Sequence, residues 1–230
     1  VKKEDLKKED LKALEAGMSN LQRHIENIKK FGLPAVVSIN RFSADTDAEI
    51  KLVKDKCKAL GVEALMADHW AMGGAGAADV AKTVVKVIDE GKSKLKFLYP
   101  DETPLFEKIE TIAREIYRAK NVTADKSVKD QLTSWEEMGY GKLPICIAKT
   151  QYSFSTNPDA KGAPADHTID VREVRLSAGA EFVVAICGEI LTMPGLPKVP
   201  SADSIDVKDG KIVAVGTRAE VEKAHRGATT

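Results

Sequence analysis

The sequence predicts an α/β protein with parallel strands, and three observations carry that expectation. Short apolar runs rich in Val and Ile alternate with stretches whose apolar residues recur every three and four positions, the order that sets helices between parallel neighbours. Glycines stand where the helical stretches stop, at Gly32, Gly61 and Gly91. Thr46 followed three residues later by Glu49 has the form of a capping box opening a helix after a strand.

In chain order, Leu11, Leu14, Met18, Leu21, Ile25 and Ile28 form one apolar stripe of a helix ended by Gly32 and Pro34, behind a charged lead-in that repeats Lys-Lys-Glu-Asp-Leu. Ala35 to Phe42 is a strand. The capping box then opens a helix with Ile50, Val53, Cys57 and Leu60 on one face. Val62 to Trp70 is the second strand, running into Gly73-Gly74-Ala75-Gly76, and Val80, Val84, Val87 and Ile88 mark the next helix. Lys94 to Leu98 is expected as a third short strand. Thr103-Pro104 starts a helix with Leu105, Ile109, Ile112 and Ile116 inward, and a second helical stretch runs from about Ala124 to Met138. The character then changes to strands at Leu143 to Ala148, Val171 to Ser177 and Phe182 to Cys187, separated by the polar loop Lys149 to His167, of a length that in compact domains tends to be functional. Three prolines and a glycine between Thr192 and Pro200 fix a loop against other structure.

With 230 residues, 43% of them hydrophobic, the chain can bury a sizeable core in one large or two small domains. Its 35 basic and 35 acidic residues cancel, so no overall field recruits nucleic acid or an anionic membrane. Cys57, Cys146 and Cys187 fall in apolar stretches without metal-ligand spacing and read as reduced core residues of a cytoplasmic protein, with no metal site expected. No apolar run is long enough to span a bilayer. The first residues are neither a signal peptide nor an initiator methionine, and the expectation is a chain that begins mid-protein.

Two aromatic residues are the leading candidates for a binding site. Phe42 and Trp70 each close a predicted strand just before a helix begins, the rim where open α/β sheets bind ligands, and a flat ligand fits between two such rings. Rings at these positions are also ordinary core. Gly73-Gly74-Ala75-Gly76 before a helix offers backbone N–H groups to an anion, or simply makes a tight turn; it lacks the Lys-Ser/Thr of a Walker loop and the full Rossmann spacing. Lys149-Thr150-Gln151-Tyr152-Ser153 gathers an ammonium, hydroxyls, an amide and a phenol at a strand exit, a set suited to phosphate or carboxylate but also to any surface loop. The histidines show no catalytic or metal spacing: His24 is expected on a solvated helix face, and His69, beside Trp70, is better placed but reads equally as a surface residue. Asp45 and Asp47 read as loop and cap residues rather than a general acid and base.

Several of these segments together resemble one family. Ile39-Asn40-Arg41-Phe42, Trp70-Ala71-Met72-Gly73-Gly74-Ala75-Gly76, Leu143 to Ser153, Val171 to Ala180 and Leu191 to Pro200 are similar, in order and spacing, to the C-terminal part of formate–tetrahydrofolate ligase, over about Leu6 to Val213. The resemblance implies a P-loop-NTPase-like three-layer α/β fold followed by a mixed α+β part. Its implied boundaries are a helix plus α/β units carrying the pterin slot over 1–100, a helical pair and α+β part over 101–213, and an atypical tail over 214–230. It further implies an ATP-dependent ligation of formate to tetrahydrofolate through formyl phosphate, with ATP and Mg used by the complete enzyme, itself a homo-oligomer. The pterin ring is implied to lie between Phe42 and Trp70. Asn40, Arg41, Gly73, Gly74, Lys149, Gln151, Tyr152, Ser153 and the loop residues Met193, Pro194, Gly195 and Leu196 are implied to line the folate or nucleotide site.

Three departures qualify what the family implies. Its ATP-phosphate loop lies in an N-terminal portion with no counterpart here, so the isolated chain is expected to be inactive. Ser43 stands where proline usually follows the Phe of Asn-Arg-Phe, which loosens one wall of the slot. Residues 214–230 continue past the family's usual end. The alternatives are a non-catalytic folate- or nucleotide-binding module, or a subunit of a split ligase. A further similarity, of Asp206 to Gly216 to the opening β-hairpin of amidohydrolases, comes without the His-x-His of their metal site.

Overall fold

A computed structural model describes residues 3–190, 199–200, 205–208 and 211–216. The chain divides into two compact units, residues 1–190 and 191–230. The first is α/β, as the alternation of the sequence predicts, and it holds two sheets with separate cores.

The first core is built on α1 (Leu11–Lys30), β1 (Val36–Asn40), α2 (Asp47–Ala59) and β2 (Glu63–Ala67). Asp10 caps α1 by accepting the Ala13 N–H at 2.9 Å, and its apolar stripe buries Met18 and Ile25 against Cys57 and Val62. The capping box of α2 is complete: the Thr46 hydroxyl accepts the Glu49 N–H, and the Glu49 carboxylate accepts the Thr46 N–H at 3.1 Å. The β1 and β2 strands pair in parallel from Val36↔Glu63 to Asn40↔Ala67 and, among the described residues, with nothing else. A single helical turn, α3 (His69–Met72), and a tight glycine turn (Gly73–Ala77) then lead into α4 (Ala78–Asp89), which packs on both strands.

The expected third strand at Lys94 to Leu98 is not one. This segment is extended, but its backbone N–H groups at Lys94 and Lys96 donate to the carbonyls of Gly32 and Phe31 at the end of α1, so it pairs with a turn and joins no sheet. Gly32 allows that approach, because with φ at +69° a Cβ would stand 2.0 Å from the Lys94 carbonyl oxygen. The residues expected to mark the helix before Gly91 all lie on α4. Val80 and Val87 are half-buried, whereas Val84 and Ile88 lie exposed.

The second core has α5 (Leu105–Glu115) and α6 (Lys126–Trp135) packed on a mixed sheet. Its strands are β3 (Asn121–Ala124), β4 (Ile145–Ala148), β5 (Thr168–Ser177) and β6 (Phe182–Cys187), in the order β3-β5-β6-β4. Only the central β5–β6 pair is antiparallel. A bulge between Val171 and Glu173 shifts the alternation of β5, so odd-numbered Ile169 and Val171 and even-numbered Val174 all reach the same core. Lys108 is fully buried under α5, its ammonium donating to the carbonyls of Gly141 at 2.8 Å and Leu143 at 3.0 Å. In the second unit, β7 (Ile205–Lys208) and β8 (Lys211–Val215) form an antiparallel hairpin.

The three cysteines are free, but they are not all core residues. Cys57 and Cys187 are buried, and burial pushes the Cys187 thiol up to about 12. Cys146 is exposed, because β4 is an edge strand whose even position turns away from the core that Ile145 and Ile147 face. A disulfide reagent at pH 8 is therefore expected to titrate one thiol rapidly in the folded protein and the other two only on denaturation. The Cys146→Ser variant should abolish the fast phase; a persisting fast phase would contradict the assignment.

Candidate functional site

The parallel β1–β2 pair ends at Asn40 and Ala67, and the chain beyond each strand turns outward over the same end of the sheet. Asn40, Arg41, Phe42 and Ser43 from the first exit, with Asp68, His69, Trp70 and Ala71 from the second, line one cavity of about 530 Å³. That volume lies within the roughly 300–1,000 Å³ of small-molecule sites. Both aromatic residues, Phe42 and Trp70, line this cavity.

Backbone geometry holds each ring's base. The Asp45 carboxylate accepts the Phe42 N–H at 2.8 Å while the Asp45 N–H donates to the Phe42 carbonyl at 3.1 Å, a reciprocal pair that fixes the turn although Ser43 supplies no proline ring. The Arg41 N–H extends the ladder to the Ala67 carbonyl at 3.2 Å. On the other side the Asp68 N–H donates to the Gly76 carbonyl at 3.0 Å, folding the glycine turn back over the strand end. A Cβ at Gly76 would stand 2.3 Å from the Asp68 carbonyl oxygen, so only glycine closes this turn.

The rings themselves are largely unpacked, Phe42 being 66% and Trp70 90% exposed. Core aromatics bury most of their surface, so the alternative open in the sequence, that these are ordinary core residues, does not hold. The lining combines these two rings with residues that carry an amide (Asn40), a guanidinium (Arg41), a carboxylate (Asp68) and an imidazole (His69). This arrangement can hold a flat heteroaromatic between rings while rim groups bond its polar edge. Gly73 and Gly74 lie in the turn beyond α3 and are not among the residues lining this cavity. Asp68 had no motif to announce it; only its place one residue past the strand points to it.

Lys149, Gln151 and Ser153 line a different cavity, of about 270 Å³, with Asn20, His24, Tyr117 and Phe154. It shares no residue with the first. Here the Lys149 ammonium and the Ser153 hydroxyl already have partners. The Lys149 ammonium donates to the carbonyls of Thr150 at 3.1 Å, Ser155 at 3.2 Å and Ser153, and it stands 4.8 Å from the centre of the Tyr117 ring. Burial holds its pKa below the ordinary lysine value. The Ser153 hydroxyl donates to the Ala160 carbonyl at 2.6 Å and accepts the Ser155 N–H at 3.0 Å. Tyr152 is 63% exposed beside Lys161, outside the lining. His24 is exposed, as expected of a solvated face, yet its ring also lies 4.8 Å from that of Phe154. The loop residues Met193, Pro194, Gly195 and Leu196 lie outside the described residues. Among the described residues no group of three or more His, Cys, Asp or Glu side chains could hold a metal ion.

Because Lys149 closes its own loop, Lys149→Met is expected to destabilise the fold by roughly 1–3 kcal/mol, the cost of leaving buried carbonyls without a donor. Urea denaturation measures it, and an unchanged midpoint would return this lysine to the surface.

A family model for formate–tetrahydrofolate ligase matches residues 1–216. Curated formate–tetrahydrofolate ligases are similar: that of Mesorhizobium japonicum is 60% identical over 205 residues, covering 89% of this chain and 37% of the relative. That of Pelagibacter ubique is 56% identical over 213 residues, covering 92% and 38%, and one from Rhizobium etli is 60% identical over 209 residues, covering 91% and 37%. The chain thus spans little more than a third of the length of the curated relatives it matches. No described helix is long and apolar enough to cross a membrane.

Proposed function

The chain belongs to the formate–tetrahydrofolate ligase family, and on that premise we propose that it supplies the pterin slot of a ligase forming 10-formyltetrahydrofolate from formate, ATP and tetrahydrofolate. One observation carries the reading: two exposed aromatic rings, Phe42 and Trp70, line a single cavity at the carboxyl end of parallel strands. The pterin stacks between them, gaining apolar burial plus roughly 0.5–1.5 kcal/mol for each ring pair. Asn40, Arg41 and Asp68 on the rim bond the polar edge of the bicycle and set its orientation. Held this way, the folate presents its nucleophilic nitrogen to formyl phosphate; the nitrogen attacks the formyl carbon, inorganic phosphate leaves with the C–O bond's electrons, and the nitrogen's proton is released.

Formyl phosphate itself arises when formate takes the terminal phosphoryl group of ATP, a step that needs a phosphate cradle and neutralising cations. The donor sets described here do not fit that task, with Lys149 bound to its own loop's carbonyls and no metal-holding cluster among the described residues. In this reading ATP, Mg and formate activation belong to the remainder of the family polypeptide, in a cytoplasmic enzyme consistent with three free thiols. The short coverage of the relatives favours a second reading as well, a folate-binding subunit of a split ligase.

In a complete ligase carrying this segment, Trp70→Ala should raise the KM for tetrahydrofolate by about 5- to 150-fold, the 1–3 kcal/mol typical of removing a base-stacking aromatic. The KM values for ATP and formate should stay within about twofold. An unchanged folate KM would sink the assignment. The 230-residue chain alone should release no ADP in response to formate; release by the chain alone would reveal a phosphate site elsewhere, and release only on mixing with the remainder would establish the split enzyme.

A further inference from the structure

Little packing holds the Phe42 ring, which is 66% exposed, so its direction depends on the backbone beneath it. That backbone is a β-turn over Phe42 to Asp45, closed by the Asp45 N–H on the Phe42 carbonyl at 3.1 Å. Neither Ser43 nor Ala44 has a positive φ, which excludes type II and the mirror-image turns. In the type I geometry that remains with this hydrogen bond, the second residue is the one at which proline is favoured, because its ring fixes φ in advance. Here that residue is Ser43, whose φ is free to turn.

The Asp45 side chain supplies a second restraint. It accepts the Phe42 N–H at 2.8 Å, so two opposed hydrogen bonds close the turn instead of one. The residue that carries it is itself held, because Thr46, next in the chain, caps α2 through a complete capping box with Glu49. Glu49 also accepts the Asp10 N–H at the start of α1, at 3.2 Å. We propose that Asp45 is a positioning residue of the folate site, its carboxylate holding the Phe42 ring in its stacking direction in the place of a proline restraint at residue 43. The inference rests on the reading of Phe42 and Trp70 as the pterin slot. It gives Asp45 no contact with the ligand, and Asp45 is not among the residues lining that cavity. What the turn requires of this side chain is one accepting oxygen rather than a charge.

Two measurements test it. In the 230-residue chain, Asp45→Ala should speed hydrogen exchange of the Phe42 amide by at least about tenfold, whereas Asp45→Asn, which keeps an accepting oxygen, should leave it within about threefold. In a complete ligase carrying this segment, Asp45→Ala should raise the KM for tetrahydrofolate by about 3- to 10-fold, with kcat and the KM values for ATP and formate within about twofold. Asp45→Asn should keep the folate KM within about twofold. In a Ser43→Pro background the same alanine substitution should raise that KM by no more than about twofold, because the pyrrolidine ring then fixes the turn. A Phe42 amide as protected in Asp45→Ala as before, or a loss of affinity as large in the Ser43→Pro background as without it, would overturn the proposal. So would a folate KM that rises in Trp70→Ala but not in Asp45→Ala, a result that leaves the pterin slot standing. No rise in either variant would overturn the slot and the proposal together.

Discussion

The first unit depends on what α1 does with its polar face. Its apolar stripe closes one core, and from the other side Arg23, Asn27 and Lys30 reach the carboxyl end of α5, where the last carbonyls of a helix have no intrahelical donor. Lys30 donates to the Glu115 carbonyl at 2.6 Å, Asn27 to that of Ile116 at 3.1 Å, and the buried Arg23 to that of Tyr117 at 3.5 Å. Arg23 also takes the carbonyls of Ala163 and Pro164, and Asn20 that of Gly162, so the long polar loop is drawn onto the same helix. Cations at a helix carboxyl terminus also oppose its dipole. One helix thereby satisfies a set of carbonyls that would otherwise be buried bare, and in doing so joins two cores that share no sheet.

That junction explains why the two cavities differ in character. The second is lined by Asn20, His24 and Tyr117 and lies in the junction itself, where hydrogen bonds are the means of attachment. The ammonium of Lys149 and the hydroxyls of Ser153 and Ser155 are spent on neighbouring carbonyls, and burial raises the Tyr117 hydroxyl to about 12, keeping it protonated. The first cavity lies at the free end of the small sheet, away from any such demand.

What the sequence revealed follows the range of the forces involved. The capping box, the glycine helix ends and the exits at Phe42 and Trp70 are local, so residues within a few positions determine them. The bulge at Val171/Glu173 is imposed by β6, and the four residues of β3 show too little alternation to be distinguished from a loop. Lys94 to Leu98 has the composition of a strand but pairs with Phe31 and Gly32, a partner about sixty residues back in the chain that no local pattern encodes. Cys146 is apolar by neighbourhood and exposed by its place on a sheet edge. Lys149 shows the same limit within a site: residue types give the donors available, and only the fold decides which carbonyls converge on them.

Satisfaction of polar groups, rather than their abundance, therefore distinguishes the two cavities. A cluster rich in donors and acceptors is inert toward ligands when each has a partner at hydrogen-bond distance, because a ligand must first break what it would replace. An exposed indole has no such partner to lose, and covering it is favourable in proportion to the apolar area removed from water. By that criterion the Lys149 ammonium and the Ser153 hydroxyl are committed to their own loop. The sparser pair Phe42 and Trp70, held at their bases by Asp45 and Gly76 and largely exposed, leaves apolar area whose covering by a planar ligand would be favourable.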